Sequence, residues 1–213
     1  MNFFMLQSKK YSYFIFRISQ LICIFAMNFN LNLSKSMIHL LDKNFEVSIT
    51  HDEIQQKVKA VAEKINADYQ GKCPVMVCIL NGAFVFAADL VRELTFQPEI
   101  IFARFSSYDG MQTTGKVKEL MGITADLAGR DVIIVEDIVD TGITMHSILP
   151  LFKQKGAASV KIACFLQKPE KLEVDLKIDY CALQIPNDFI VGYGLDYNGL
   201  GRNYKDIYSV VAD

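Results

Sequence analysis

Short apolar runs alternate with stretches of helical periodicity along most of this chain. Residues 74–80, 99–105, 132–135, 160–166, 178–183 and 207–211 are rich in aliphatic and β-branched side chains. Continuous runs of that length read as strands buried on both faces of a parallel sheet. Between them, Ile54, Val58, Val61, Ala62 and Ile65 recur on one helical face behind a capping box, Thr50-His51-Asp52-Glu53. Residues 83–94 follow as a second helix, and Met145, Ile148, Leu149 and Phe152 mark a third. Residues 106–116 are polar and rich in turn formers, which predicts a mobile loop, and 117–124 return as a strand. Strands alternating with helices predict right-handed βαβ units, hence an α/β domain on a mostly parallel sheet flanked by helices. Such sheets bind ligands beyond the carboxyl ends of their strands. Asn81-Gly82, residues 136–144 and Gln167-Lys168 all follow strands, so they are expected on one rim.

Composition narrows the class. Of 213 residues, 51% are hydrophobic and 22% charged, which suits one globular domain with a sizeable core. A formal net charge of −2 leaves no basic surplus to neutralise a nucleic-acid backbone, so no nucleic-acid partner is expected. The five cysteines, Cys23, Cys73, Cys78, Cys164 and Cys181, contain no Cys-x-x-Cys pair. They read as reduced thiols of a cytoplasmic protein rather than zinc ligands or disulfides. His39, His51 and His146 lack metal-ligand spacing. Residues 1–36 stand apart. The apolar stretch 11–26 is interrupted by Arg17 and Gln20, and it is shorter than the roughly 20 residues a membrane span needs. That extension is expected to be a poorly ordered tail or to lie upstream of the true start at Met27 or Met37. The folded domain is then 37–213, with no membrane association.

Residues 132–144 carry the densest chemistry: Val-Ile-Ile-Val-Glu-Asp-Ile-Val-Asp-Thr-Gly-Ile-Thr. The apolar run stops at Glu136 and Asp137, a third acid, Asp140, opens the turn, and a helical pattern begins after it. A strand, a small polar loop with glycine and a helix start favour a phosphate, because free backbone N–H groups and the helix dipole point at it. Three carboxylates beside that cradle would repel the anion unless they bind something else, namely sugar hydroxyls, a metal ion or a proton. The combination suggests a ribose 5-phosphate, with its phosphate on Thr141, Gly142, Ile143 and Thr144 and its diol on Glu136 and Asp137. The stretch resembles the phosphoribosyl pyrophosphate loop of type I phosphoribosyltransferases.

The resemblance covers roughly residues 40–212. Ile-Leu-Asn-Gly-Ala-Phe-Val-Phe-Ala-Ala-Asp at 79–89 is similar to that family's pyrophosphate loop, with Asn81 and Gly82 at its tip. Ser107-Tyr108 and the polar stretch after them look like its mobile lid. Residues 189–197, Phe-Ile-Val-Gly-Tyr-Gly-Leu-Asp-Tyr, resemble the purine-binding hood of the hypoxanthine-guanine branch, a pattern that adenine and orotate enzymes lack. What the resemblance implies is a small hood subdomain over the purine site, built from the start of the domain and about 167–213. It also implies a cytoplasmic homodimer or homotetramer, Mg²⁺ as cofactor, and transfer of a phosphoribosyl group from phosphoribosyl pyrophosphate to N9 of hypoxanthine or guanine. By the same resemblance Asp140 would handle the proton at purine N7 and Lys168 would donate to O6. Phe189 would stack on the base while the Ile190 main chain reads its edge. Asp196 would help hold Mg²⁺, and Arg202 would grip pyrophosphate. Two positions depart from the pattern: Asn81 and Ile143 stand where many or some relatives carry Lys, which removes a cation near phosphates. Two rival readings stay open, a xanthine-preferring enzyme and a non-catalytic, nucleotide-sensing RNA-binding regulator of the same fold.

Overall fold

The computed structural model describes residues 36–107 and 117–211. The expectations for the N-terminal extension through residue 35, and for residues 108–116 including Tyr108, lie outside the described residues. Six strands form the main sheet in the order β5 (Val117–Met121), β4 (Glu99–Ser107), β3 (Val75–Leu80), β6 (Asp131–Val139), β7 (Ser159–Gln167) and β8 (Tyr180–Gln184). Every neighbouring pair is parallel except β4 with β5, so the sheet is mostly parallel as the alternation of elements predicts.

Helix α1 (His51–Asp68) starts where the capping box places it: the Thr50 side chain accepts from the Glu53 backbone N–H. Its buried residues are the five of the predicted apolar face, Ile54, Val58, Val61, Ala62 and Ile65. Helix α2 (Phe84–Arg92) follows β3, and α3 (Ile143–Gln154) follows β6. The continuous apolar run of β6 splits by period two, as strand geometry requires. Ile133 and Val135 join α1 and α2 in one core cluster, whereas Val132 and Ile134 pack with Met145, Ile148 and Phe152 of α3 in the other. Burial on both faces explains why this strand carries no polar alternation.

A second sheet has the order β1 (Met37–Leu40), β2 (Lys43–Ile49), β10 (Ile207–Val210) and β9 (Ile190–Val191). β10 pairs antiparallel with both β2 and β9. This sheet joins the two ends of the described chain around its own small core of Leu40, Phe45, Val191 and Tyr208. The sequence pattern predicts no strand at 37–49. Among the described residues no helix is long and apolar enough to cross a membrane.

Candidate active site

The strand order reverses direction between β3 and β6, so the crevice at their carboxyl ends is the topological switch point where open sheets bind ligands. β3 pairs with β6 only as far as Cys78 opposite Val135. β6 continues to Val139 because β7 still supports its other edge, with Glu136, Ile138 and Val139 opposite Cys164, Leu166 and Gln167. This corrects the sequence expectation that the strand ends at Val135: Glu136 and Asp137 lie within β6, on the part left open towards β3. Asn81 and Gly82 turn into that opening. A Cβ built on Gly82 would fall on the Asp137 carboxylate, so any other residue there would force that side chain to shift.

At the end of β6, Asp140-Thr141-Gly142 leads directly into α3. Gly142 is the N-cap, with φ +79°, and has no side chain to cap the helix, which leaves most N–H groups of the helix start to an external anion. Glu136, Asp140, Thr141, Gly142 and Thr144 line a cavity of about 120 Å³, with Ile138, Val139 and Met145 as its apolar wall. Ile143 is 41% exposed and its side chain is not part of that lining. Thr141 Oγ1 instead accepts from the Ile143 backbone N–H at 3.4 Å.

The paired acids are electrostatically tense. Burial first, and then the neighbouring Asp137 carboxylate, push the Glu136 carboxyl well above the usual carboxylate range. Burial also raises Asp137, while Arg202 is among the groups that pull it back down. A carboxyl raised in the folded state contributes stability below its ordinary value, and that contribution is lost as pH rises through the folded value. Glu136→Gln is therefore expected to raise the melting temperature at pH 7 by about 2–4 °C, equivalent to about 1 kcal/mol. The gain should vanish near pH 4, where the native carboxyl is itself protonated. The same variant should bind phosphoribosyl pyrophosphate more weakly. Thermal melts at the two pH values, with a calorimetric titration, check both halves.

The groups expected to read a base converge on the same rim. Asp140 Oδ2 accepts from Lys171 Nζ at 3.0 Å. Its other oxygen, Oδ1, is buried with no hydrogen-bond partner among the described residues. The Lys168 backbone N–H donates to the Val139 carbonyl at 3.0 Å, which ties the end of β7 to the end of β6. Its side chain is only 7% exposed, and Nζ donates to the Asp188 carbonyl at 2.8 Å, one residue before Phe189. Phe189 presents its ring to solvent, 41% exposed. Its centroid lies 5.3 Å from Tyr197, edge-on, and 6.0 Å from Phe45. Ile190 is buried in β9 opposite Ser209. Arg202 Nη1 donates to the Gly194 carbonyl at 2.7 Å, and Nη2 lies 2.6 Å from Asp196 Oδ1. The remaining Asp196 oxygen accepts from the Gly199 N–H at 2.6 Å. Ser107 is the last residue of β4. No cluster of three or more His, Cys, Asp or Glu suited to a metal occurs among the described residues.

Sequence reasoning missed Lys171 and the segment after it. Lys168 caps a 3₁₀ turn, Pro169–Lys171, in which residues three apart eclipse one another. The Lys-Pro-x-Lys spacing was thus a usable signal for a short turn that carries a second lysine back to the rim.

Comparison with known proteins agrees with this geometry. The phosphoribosyl transferase domain model matches residues 48–198. The hypoxanthine-guanine phosphoribosyltransferase of Streptococcus pneumoniae (strain ATCC BAA-255 / R6) is 42% identical over 163 residues, spanning 76% of this chain and 89% of the relative. Its counterpart from Streptococcus thermophilus (strain CNRZ 1066) is 40% identical over 166 residues, spanning 77% of this chain and 92% of the relative. A crystal structure of a hypoxanthine-guanine phosphoribosyltransferase from Bacillus anthracis superposes with a TM-score of 0.75 at 42% identity, covering 78% of this chain and 98% of that one.

Proposed function

The chain belongs to the phosphoribosyl transferase domain family, and from that premise we propose that it is a 6-oxopurine phosphoribosyltransferase of purine salvage. It moves the phosphoribosyl group from phosphoribosyl pyrophosphate to N9 of hypoxanthine or guanine, giving IMP or GMP and pyrophosphate. The observation that supports this most is the convergence, on one rim, of a helix-start cavity, a buried lysine, an open aromatic ring and a carboxylate with one unpartnered oxygen.

In this reading Thr141, Gly142, Ile143 and Thr144 take the 5-phosphate, largely by backbone N–H groups, and Glu136 and Asp137 take the ribose hydroxyls. Asn81 and Gly82 bracket the pyrophosphate from β3, and Arg202 exchanges its contact with Asp196 for the leaving phosphates. Phe189 stacks on the purine, the Ile190 main chain reads its edge, and Lys168 donates to O6. The C1–oxygen bond to pyrophosphate breaks as the N9–C1 bond forms, through an oxocarbenium-like transition state. Asp140 takes or shares the N7 proton as the base becomes a nucleophile. Ser107 and Tyr108 begin a lid that excludes water from the activated sugar. The second sheet acts as the hood over the base.

The donor set fits Mg²⁺, which keeps several waters and binds through one or two carboxylates together with substrate phosphates rather than in an all-protein cage. Asp196 is the carboxylate that would hold it beside pyrophosphate, where it would supply neutralisation of the leaving group's charge. We place the enzyme in the cytoplasm as a homodimer or homotetramer.

The test is pyrophosphate release from phosphoribosyl pyrophosphate and hypoxanthine, run with Mg²⁺ and with excess EDTA. The expected result is one pyrophosphate per IMP, abolished by EDTA and restored by Mg²⁺. No pyrophosphate from folded protein under any of these conditions overturns the reading. An RNA-binding signal in its place would favour the regulator of the same fold.

A further inference from the structure

Asp140 is held by a residue that lies outside the substrate-contacting set. Lys171 Nζ sits 3.0 Å from Oδ2, while Oδ1 is buried and unpartnered among the described residues. One oxygen is clamped and the other is left for a ligand. Lys171 does not stand there by chance of a surface side chain. Its backbone N–H donates to the Lys168 carbonyl at 3.1 Å in the 3₁₀ turn, so the lysine assigned to O6 and the lysine on Asp140 are fixed to each other. The next residues continue over the phosphate loop. The Glu173 N–H donates to the Thr141 carbonyl at 3.0 Å, and Leu172, Val174 and Leu176 close over the place where a Cβ on Gly142 would project.

We propose that Lys171 is a positioning residue for the reaction. It orients the Asp140 carboxylate and keeps its free oxygen towards the purine, through a strap that spans 168–176 and ties the base-reading lysine to the phosphate loop. This rests on the reading of Asp140 as the proton-handling group. Lys171 touches neither phosphate nor base in this scheme and acts only through Asp140.

The consequence is non-additivity, which a purely structural lysine would not show. The Lys171–Asp140 pair is about one-third exposed on both sides. Its loss in Lys171→Met should therefore cost only about five-fold in kcat, the upper range for a partly exposed ion pair. KM for phosphoribosyl pyrophosphate should stay within about two-fold, because the 5-phosphate is held by other groups. Lys171→Arg should restore kcat to within about two-fold, because the guanidinium also donates to a carboxylate. In an Asp140→Asn background, Lys171→Met should change kcat by less than about two-fold. With 8-azahypoxanthine, whose ring N–H is more acidic, proton removal needs less help and the five-fold penalty should shrink.

The experiment is this set of steady-state kinetics on full-length protein, with circular-dichroism melts of each variant. The proposal is overturned by a Lys171→Met penalty of the same size in both backgrounds, by the same penalty with both bases, or by no rescue with Arg. It is also overturned by an unchanged kcat in Lys171→Met. Failure of the underlying reading looks different: Asp140→Asn alone would then leave kcat intact.

Discussion

Asp140→Asn should lower kcat with hypoxanthine by about 10²-fold or more, the usual contribution of a positioned general acid or base. The substitution keeps the shape of the side chain and an oxygen that still accepts from Lys171 at the Oδ2 position. It removes the charge and the proton-accepting capacity of the buried Oδ1. Phosphoribosyl pyrophosphate should bind nearly as before, because its 5-phosphate is assigned to the backbone of residues 141–144 and the start of α3, not to this carboxylate. The expected signature is a fall in kcat and in kcat/KM for the base, with KM for phosphoribosyl pyrophosphate within about two-fold and an unchanged melt. A matching loss of phosphoribosyl pyrophosphate affinity would make Asp140 part of the phosphate cradle instead.

Lys168→Gln should weaken the discrimination between 6-oxopurines and adenine. Lys168 is 7% exposed and its ammonium donates to the Asp188 carbonyl, so it stands as a desolvated donor bonded to the residue that precedes Phe189 in the chain. Such a donor rewards an oxygen at purine position 6. It penalises the 6-amino group of adenine, which would leave the buried cation facing another donor. Loss of a hydrogen bond from a charged donor is worth about 1.5–3 kcal/mol, so kcat/KM for hypoxanthine and guanine should fall by about 10- to 10²-fold. The value for adenine should stay level or rise. Parallel kcat/KM measurements with these bases, together with a melt, check it. An equal loss for every base, with a lowered melting temperature, would assign Lys168 to holding the Asp188 segment in place.

Much of the main sheet was legible in the sequence because its strands are buried on both faces. Val132 to Val135 had no polar position to spare, and the period-two split between the α1/α2 side and the α3 side was implicit in that run. The capping box at Thr50 likewise fixed the start of α1. The end of β6 was not legible. Glu136 and Asp137 look like the close of a strand to any hydrophobicity pattern, but pairing with β7 carries the backbone four residues further. Local polarity says nothing about which edge of a strand keeps a partner. The second sheet was hidden for a related reason. β9 has two residues, and β2 meets β10 more than 150 residues away in sequence, through Val47 opposite Tyr208 and Phe45 opposite Val210. No local pattern encodes that pairing.

Motif spacing singled out the carboxylates, the 141–144 turn, Lys168 and Phe189 as candidates. It did not show that Asp196 is engaged by both Arg202 and the Gly199 N–H. Nor did it show that Ile143 turns away from the cavity lining. Ile143, on the exposed first turn of α3, contributes nothing to the cavity wall. Asn81 differs, because its neighbour Gly82 sits against Asp137, beside the part of β6 left open towards β3.

The measurement that bears most directly on the central claim offers hypoxanthine, guanine, xanthine and adenine in parallel. Each is supplied with phosphoribosyl pyrophosphate and Mg²⁺, and nucleotide formation is followed spectrophotometrically. Turnover of hypoxanthine and guanine with none of adenine is the predicted result. Turnover of adenine at a comparable rate, or of no base at all by folded protein, would contradict it.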